Sequence, residues 1–210
     1  MPMTEPTPSP WVATSGNWDI GLLEPLTEIN ERVLEALAAG AAGGGPSCSP
    51  LCQSPNIPWR TLGAEARQRL ASCPYLLIDG GFARPELWVR PLGSGVRDAR
   101  PGGRAFAAVL GPSTVRCMLM LAWHLARANR LAGRIALGLS EPCAALIAGG
   151  RLRDMEALAE AGPWWISPRW ESRSEIWRQL IEAAVCQRPA RLRTMQLRGL
   201  QLLAASVLPL

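Results

Sequence analysis

The sequence predicts an all-α or mostly α protein, a multi-helix domain with at most a small strand element in its N-terminal half. Three observations predict it. From Ala105 onward, apolar residues recur at helical spacing with only short Gly and Pro interruptions. The one short apolar run bounded by Pro and Gly is Cys73 to Asp79, too short for periodicity to decide between a strand and a buried helical turn. Apolar residues make up 48 % of the chain, which excludes disorder throughout, while charged residues at 19 % are scarce enough that part of the surface should be apolar or covered by a partner.

The elements follow in order. Residues 1–17, rich in Pro, Thr and Ser, read as a disordered arm; they lack the positive start and apolar run of a signal peptide. A small N-terminal helical region is predicted over 18–92. Its helix, Glu24 to Ala39, carries Ile29, Val33, Leu34 and Leu37 on one face and Glu28, Glu31, Arg32 and Glu35 on the other. The loop at 40–58, with three consecutive glycines and Pro46, Pro50, Pro55 and Pro58, is too dense in breakers for a packed helix. A short helix over Thr61 to Ser72 turns Leu62 and Leu70 inward and Arg67 and Arg69 outward, and Phe82 and Trp88 add aromatic anchors.

Residues 93–103 read as a linker and 104–210 as the main helical domain. A long helix is expected from Ser113 to Ala128, with Val115, Leu119, Ala122, Trp123 and Ala126 in a stripe. Leu131 to Leu137 follows and stops at Gly138. Ser140 is a candidate N-cap for Glu141 to Ala148, with Pro142 tolerated in the first turn. Leu152 to Ala161 places Leu152, Met155, Leu158 and Ala159 inward. After the aromatic connector Pro163-Trp164-Trp165-Ile166-Ser167-Pro168 come helices over Ser172 to Val185 and Ala190 to Val207, the last with Leu192, Met195, Leu200, Leu203 and Val207 on its stripe and Leu197 and Leu208 broadening it.

Charge divides unevenly. Residues 1–100 have ten acidic and eight basic groups, a net of −2, whereas 101–210 have seven and fourteen, a net of +7. Every basic residue is Arg, a bias that a GC-rich genome explains as well as function does. No stretch of eighteen clean apolar residues is present, and Arg116 and Arg127 bound the most apolar segment, so no membrane insertion and a cytoplasmic location with reduced thiols are expected.

Catalytic and cofactor signatures do not emerge. Cys48, Cys52 and Cys73 suggest a zinc loop, but a second closely spaced pair is missing; loop and core thiols are the simpler reading, with Cys117, Cys143 and Cys186 on apolar helix faces. His124 is the single histidine and has no identified partner, so a structural or interface role is expected. No glycine group sits in a phosphate-loop frame, and Asp79 reads as a cap or turn residue. No cofactor, metal or small-molecule substrate is therefore expected, nor an enzyme.

The candidate partner-binding residues are aromatic and basic. Trp164, Trp165 and Trp170, stiffened by Pro163 and Pro168, make good core anchors or interface hot spots. Arg127, Arg130 and Arg134 line one face across a helix junction, and Arg188, Arg191 and Arg193 crowd the start of the last helix with Arg198. Both groups suit phosphates or an acidic protein, but salt bridges to Glu171, Glu175 and Glu182 compete for them. The pair Glu141 to Ala148 and Leu152 to Ala161 is compatible with a helix-turn-helix, yet Asp154, Glu156 and Glu160 on its second helix oppose entry into a DNA groove.

Two family resemblances bear on this. The run Leu121 to Ala132, then Leu137-Gly138-Leu139-Ser140 and Leu152 to Glu160, with the closing helix Leu192 to Leu208, resembles FlhD, the flagellar transcriptional co-activator, over residues 113–208. That resemblance implies an all-helical homodimeric regulator that acts with a zinc-containing subunit on promoters, so nucleic acid would be met within a complex. The chain departs from it by about a hundred extra N-terminal residues and by Trp164-Trp165. The length, and Gly162-Pro163-Trp164 late in the chain, are similar to the sorting-platform K subunits of type III secretion. This second resemblance implies a cytoplasmic structural adaptor. The sequence reading is therefore a non-catalytic, macromolecule-binding bacterial protein with a protein partner. A transcription or motility/secretion regulator is the first expectation and a type III secretion adaptor the alternative.

Overall fold

The computed structural model describes residues 20–43, 49–89 and 103–207. Ten helices and one two-stranded antiparallel ladder are found among them, so the protein is mostly α-helical with a small β element. The disordered-arm reading of 1–17, nearly all of the linker, Cys48 and Leu208 lie outside the described residues.

Helix α1, Ile20–Ala41, runs past both ends of its predicted span and holds Pro25 within it. Leu26, Ile29, Val33, Leu34 and Leu37 are buried as their spacing requires. The part of the breaker-rich loop from residue 49 onward holds a short packed helix that its composition argued against: Ser49 accepts a hydrogen bond from the Leu51 amide and starts α2, Pro50–Gln53, which buries Leu51 and Cys52. A 3₁₀ turn, Trp59–Thr61, precedes α3, Ala64–Ala71, so the single helix expected from Thr61 is divided at Gly63.

Strand β1, Ile78–Asp79, pairs with β2, Ser167–Pro168, the partner that the sequence reading lacked. Helix α4, Glu86–Val89, is followed by α5, Gly103–Ala128, which is broken at Gly111 (φ 76°) before Pro112. The Gly-Pro step therefore does restart the helix, but helical backbone also precedes it. The segment Phe106–Ala128 is long and apolar enough to cross a membrane by length and composition, and 44 % of its most apolar window is buried inside the fold.

Helix α6, Arg130–Leu137, is capped by Asn129, whose side chain accepts from the Ala132 amide, and stops at left-handed Gly138 (φ 69°). Helix α7, Glu141–Gly149, starts at the Ser140 cap; α8, Leu152–Ala161, is capped by Asp154, which accepts from the Arg151 amide. Helices α9, Ser174–Val185, and α10, Pro189–Val207, close the chain. Helix α5 packs against α1, α6, α7 and α8, while α9 bridges α3 and α10.

Four apolar-face assignments are corrected. Leu152 and Leu197 are exposed: Leu152 has the spacing of the buried face but opens the first turn of α8, and Leu197 lies about 140° round α10 from Leu192. Cys117 and Cys186 are exposed too, leaving Cys52, Cys73 and Cys143 as the buried thiols among the described residues.

Residues 73–82 form the centre of the fold. Asn30 Nδ2 donates to the carbonyls of Ala71 and Tyr75 (3.0 and 2.9 Å), and its Oδ1 accepts from the Leu77 amide at 2.8 Å. The Leu76 amide bonds Ala136 of α6, and the Phe82 carbonyl accepts from the Ser140 amide at the head of α7. One extended segment from the first half is thus bonded to elements of both halves. Asp79 takes the turn role expected of it, Oδ1 accepting from the Gly81 amide at 2.8 Å.

Candidate protein-binding cleft

The aromatic candidates lie around this central segment. Trp165 is buried; its indole N–H donates to the Gly80 carbonyl at 3.0 Å, and its ring meets Trp88 and Trp164 edge to face. Trp164 and Trp170 are half-buried against the core, and Trp170 lies edge to face with Tyr75 at 5.6 Å. The burial of Trp165 commits that ring to the interior. Trp88, Trp177 and Trp59 likewise each donate an indole N–H to a backbone carbonyl.

Of the first basic group, Arg127 is exposed, with its guanidinium 4.6 Å from the centroid of Trp123 and a hydrogen bond to the Ala148 carbonyl. Arg130 pairs with Glu141 at 2.5 Å, and Arg134 is half-buried. Asn129 interrupts the helix between them, so the three do not share one continuous helical face.

The second group lines a cleft. Helix α9 ends at Cys186, and Gln187 adopts a left-handed backbone (φ 51°) that redirects the chain into α10. Between the end of α3, the end of α9 and the first turns of α10 this leaves a cavity of 440 Å³. Its lining includes Arg69, Gln187, Arg188, Leu192, Arg193 and Gln196. Buried Ala183 and Leu192 make its floor apolar. Arg69, expected to face outward, instead donates through Nε to the Ala184 carbonyl at 3.0 Å and forms part of the wall.

Charge around the cleft is sorted by pairing. Arg178 takes Glu175 and Glu182, each at 2.5 Å; Arg191 reaches Glu182 at 3.5 Å; Arg69 reaches Glu65 at 3.5 Å. The hydrogen bonds from Arg178 hold the Glu175 carboxyl down to about 2. Glu171 receives the Ser49 hydroxyl at 2.7 Å. Arg188 and Arg193, both exposed, make no ion pair among the described residues.

Two buried polar residues that sequence reasoning missed hold this arrangement together. Arg169 is 7 % exposed and donates to the carbonyls of Leu76 (2.7 Å), Ile78 (3.0 Å) and Leu137 (2.9 Å). Burial lowers its pKa, opposed by Asp79 and Tyr75. Nothing in its local sequence distinguishes it from a surface arginine. Asn30, in contrast, carried a signal that could have found it: it sits three, four and seven residues before Val33, Leu34 and Leu37, on the apolar stripe.

Beneath α10, the buried Tyr75 hydroxyl meets no nitrogen or oxygen partner among the described residues, lies against the Cys73 thiol and packs on Gly199, where an added Cβ would lie 2.1 Å from it. Burial pushes the neighbouring Cys73 thiol up to about 12 and raises the Tyr75 phenol as well. Among the described residues no three His, Cys, Asp or Glu side chains are grouped to hold a metal ion. No known protein family, curated protein or solved structure matches the chain.

Proposed function

We propose that the chain is a non-catalytic, protein-binding adaptor of the cytoplasm, the role implied by its resemblance to the type III secretion K subunits. The observation that carries this reading is the interlocking of the two halves. The resemblance to the flagellar regulator covers only 113–208, yet that region's core includes Tyr75, Leu76, Leu77 and Ile78, and two of the three carbonyls that its buried Arg169 bonds come from the first half. A 113–208 module would expose this surface, whereas the adaptor resemblance accounts for the longer chain. Local neutralisation of Arg130, Arg178 and Arg191 also favours a protein partner, because a nucleic-acid face needs its cations free for phosphates.

The regulator reading keeps one specific observation, that Arg188 and Arg193 make no ion pair among the described residues. Affinity isolation of the tagged full chain from its native host, with the eluate assayed for protein and for nuclease-sensitive nucleic acid, separates the two. Export-apparatus components at stoichiometric yield without nucleic acid are expected. Recovery of RNA polymerase with salt-sensitive DNA would replace the adaptor reading with the regulator.

A further inference from the structure

The cleft between α3, α9 and α10 has a composition that selects a ligand class. Its floor is apolar, built from Ala183 and Leu192 with Pro189 at the edge, so it favours an aliphatic side chain over a fully hydrated ion. Its rim carries Arg188 and Arg193, the cations left without acidic partners, while Arg69, Arg178 and Arg191 around it are already engaged. The first turn of α10 contains no acidic residue, so the positive end of that helix is uncompensated by its own side chains. Gln187 adds a carboxamide that both donates and accepts, which suits the alternating N–H and C=O of a peptide backbone, while the Gln196 side chain bonds the buried Cys73 thiol.

We propose that this cleft receives a short peptide segment of the protein partner that combines acidic and apolar side chains, its carboxylates on Arg188 and Arg193 and an apolar side chain over Leu192. The proposal rests on the adaptor reading above. A polynucleotide is the poorer fit. Its affinity grows with the number of phosphates neutralised, and here only Arg188 and Arg193 of the rim make no ion pair among the described residues, too few to track an extended phosphate chain. A cavity of 440 Å³ matches a few side chains and not a duplex.

The test uses the full chain and fluorescence anisotropy of a fluorescein-labelled peptide of mixed glutamates and leucines. The same peptide with glutamine for glutamate, and a single-stranded oligodeoxynucleotide of equal charge, serve as comparisons. The acidic peptide is expected to bind at least about tenfold more tightly than either. The R188E/R193E and R188Q/R193Q variants are expected to lose that preference, with circular dichroism and urea midpoint unchanged because both side chains are exposed. Absence of binding, equal binding by the variants, or tighter binding of the oligonucleotide overturns the proposal. Failure here beside recovery of a protein partner from the host removes the cleft and leaves the adaptor. Success here beside recovery of DNA alone removes the adaptor and leaves the cleft's preference standing.

Discussion

Replacing Arg169 tests whether a buried guanidinium, with no carboxylate in contact, holds the halves together. It donates three hydrogen bonds to carbonyls of Leu76, Ile78 and Leu137. Removing it leaves three acceptors in the interior at roughly 1–3 kcal/mol each, a gross loss of about 3–9 kcal/mol. Part is returned, because the guanidinium's own desolvation is relieved and, in Arg169→Ala, water can enter the space left behind. A net loss of about 3–5 kcal/mol is expected for Arg169→Ala, a large share of the roughly 5–15 kcal/mol that holds a native domain. Arg169→Met should cost at least as much: it fills the space, excludes the water and offers no donor. Arg169→Lys should fall between, since one ammonium cannot reproduce the planar fork. Urea unfolding followed by tryptophan fluorescence and circular dichroism measures all three. If Arg169→Met stays within about 1 kcal/mol of the parent, the carbonyls find other partners and the clamp argument is wrong.

Three further outcomes are expected. Gly199→Ala places a methyl against the Tyr75 ring and should cost roughly 1–3 kcal/mol in urea unfolding, whereas Tyr75→Phe gives up only the hydroxyl's contact with the Cys73 thiol and should cost less than about 1 kcal/mol. Native thiol alkylation read by mass spectrometry should modify exposed Cys117 and Cys186 well before Cys52, Cys73 and Cys143; fast labelling of Cys73, with its thiol at about 12, would contradict its placement. Because folding lowers the Glu175 pKa to about 2 from the ordinary 4.5, its ion pair stabilises above 4.5 and is lost as pH falls from 4.5 through 2. The difference in thermal midpoint between the parent and Arg178→Ala should shrink over that interval, and added salt should reduce it at every pH.

Helices were the most legible part of the sequence because their determinants are local. The Ser140 cap, the Gly138 stop, the Gly111-Pro112 restart and the stripes of α1 and α9 depend on neighbours within two turns. Leu152 and Leu197 were misplaced for the complementary reason: a leucine in the first turn of a helix, or away from its buried face, is covered only if another element reaches it, and none does enough. Of the candidate site, clustering of Arg188, Arg191 and Arg193 at the start of α10 was readable. Their different fates were not, because Glu182 comes from another helix and, of these three, reaches only Arg191.

The sequence by itself determined a helical chain, its caps and breaks, and a positive second half, since composition and short-range periodicity fix these. Only the tertiary structure decided that β1 meets β2 across eighty-odd residues, that Trp165 turns inward, that Arg169 is a buried clamp and that Arg69, Arg188 and Arg193 share a cleft. Each of these depends on contacts between segments far apart in the chain. A tryptophan or arginine serves the core as readily as the surface, and what it becomes is set by which carbonyls and side chains the fold brings beside it.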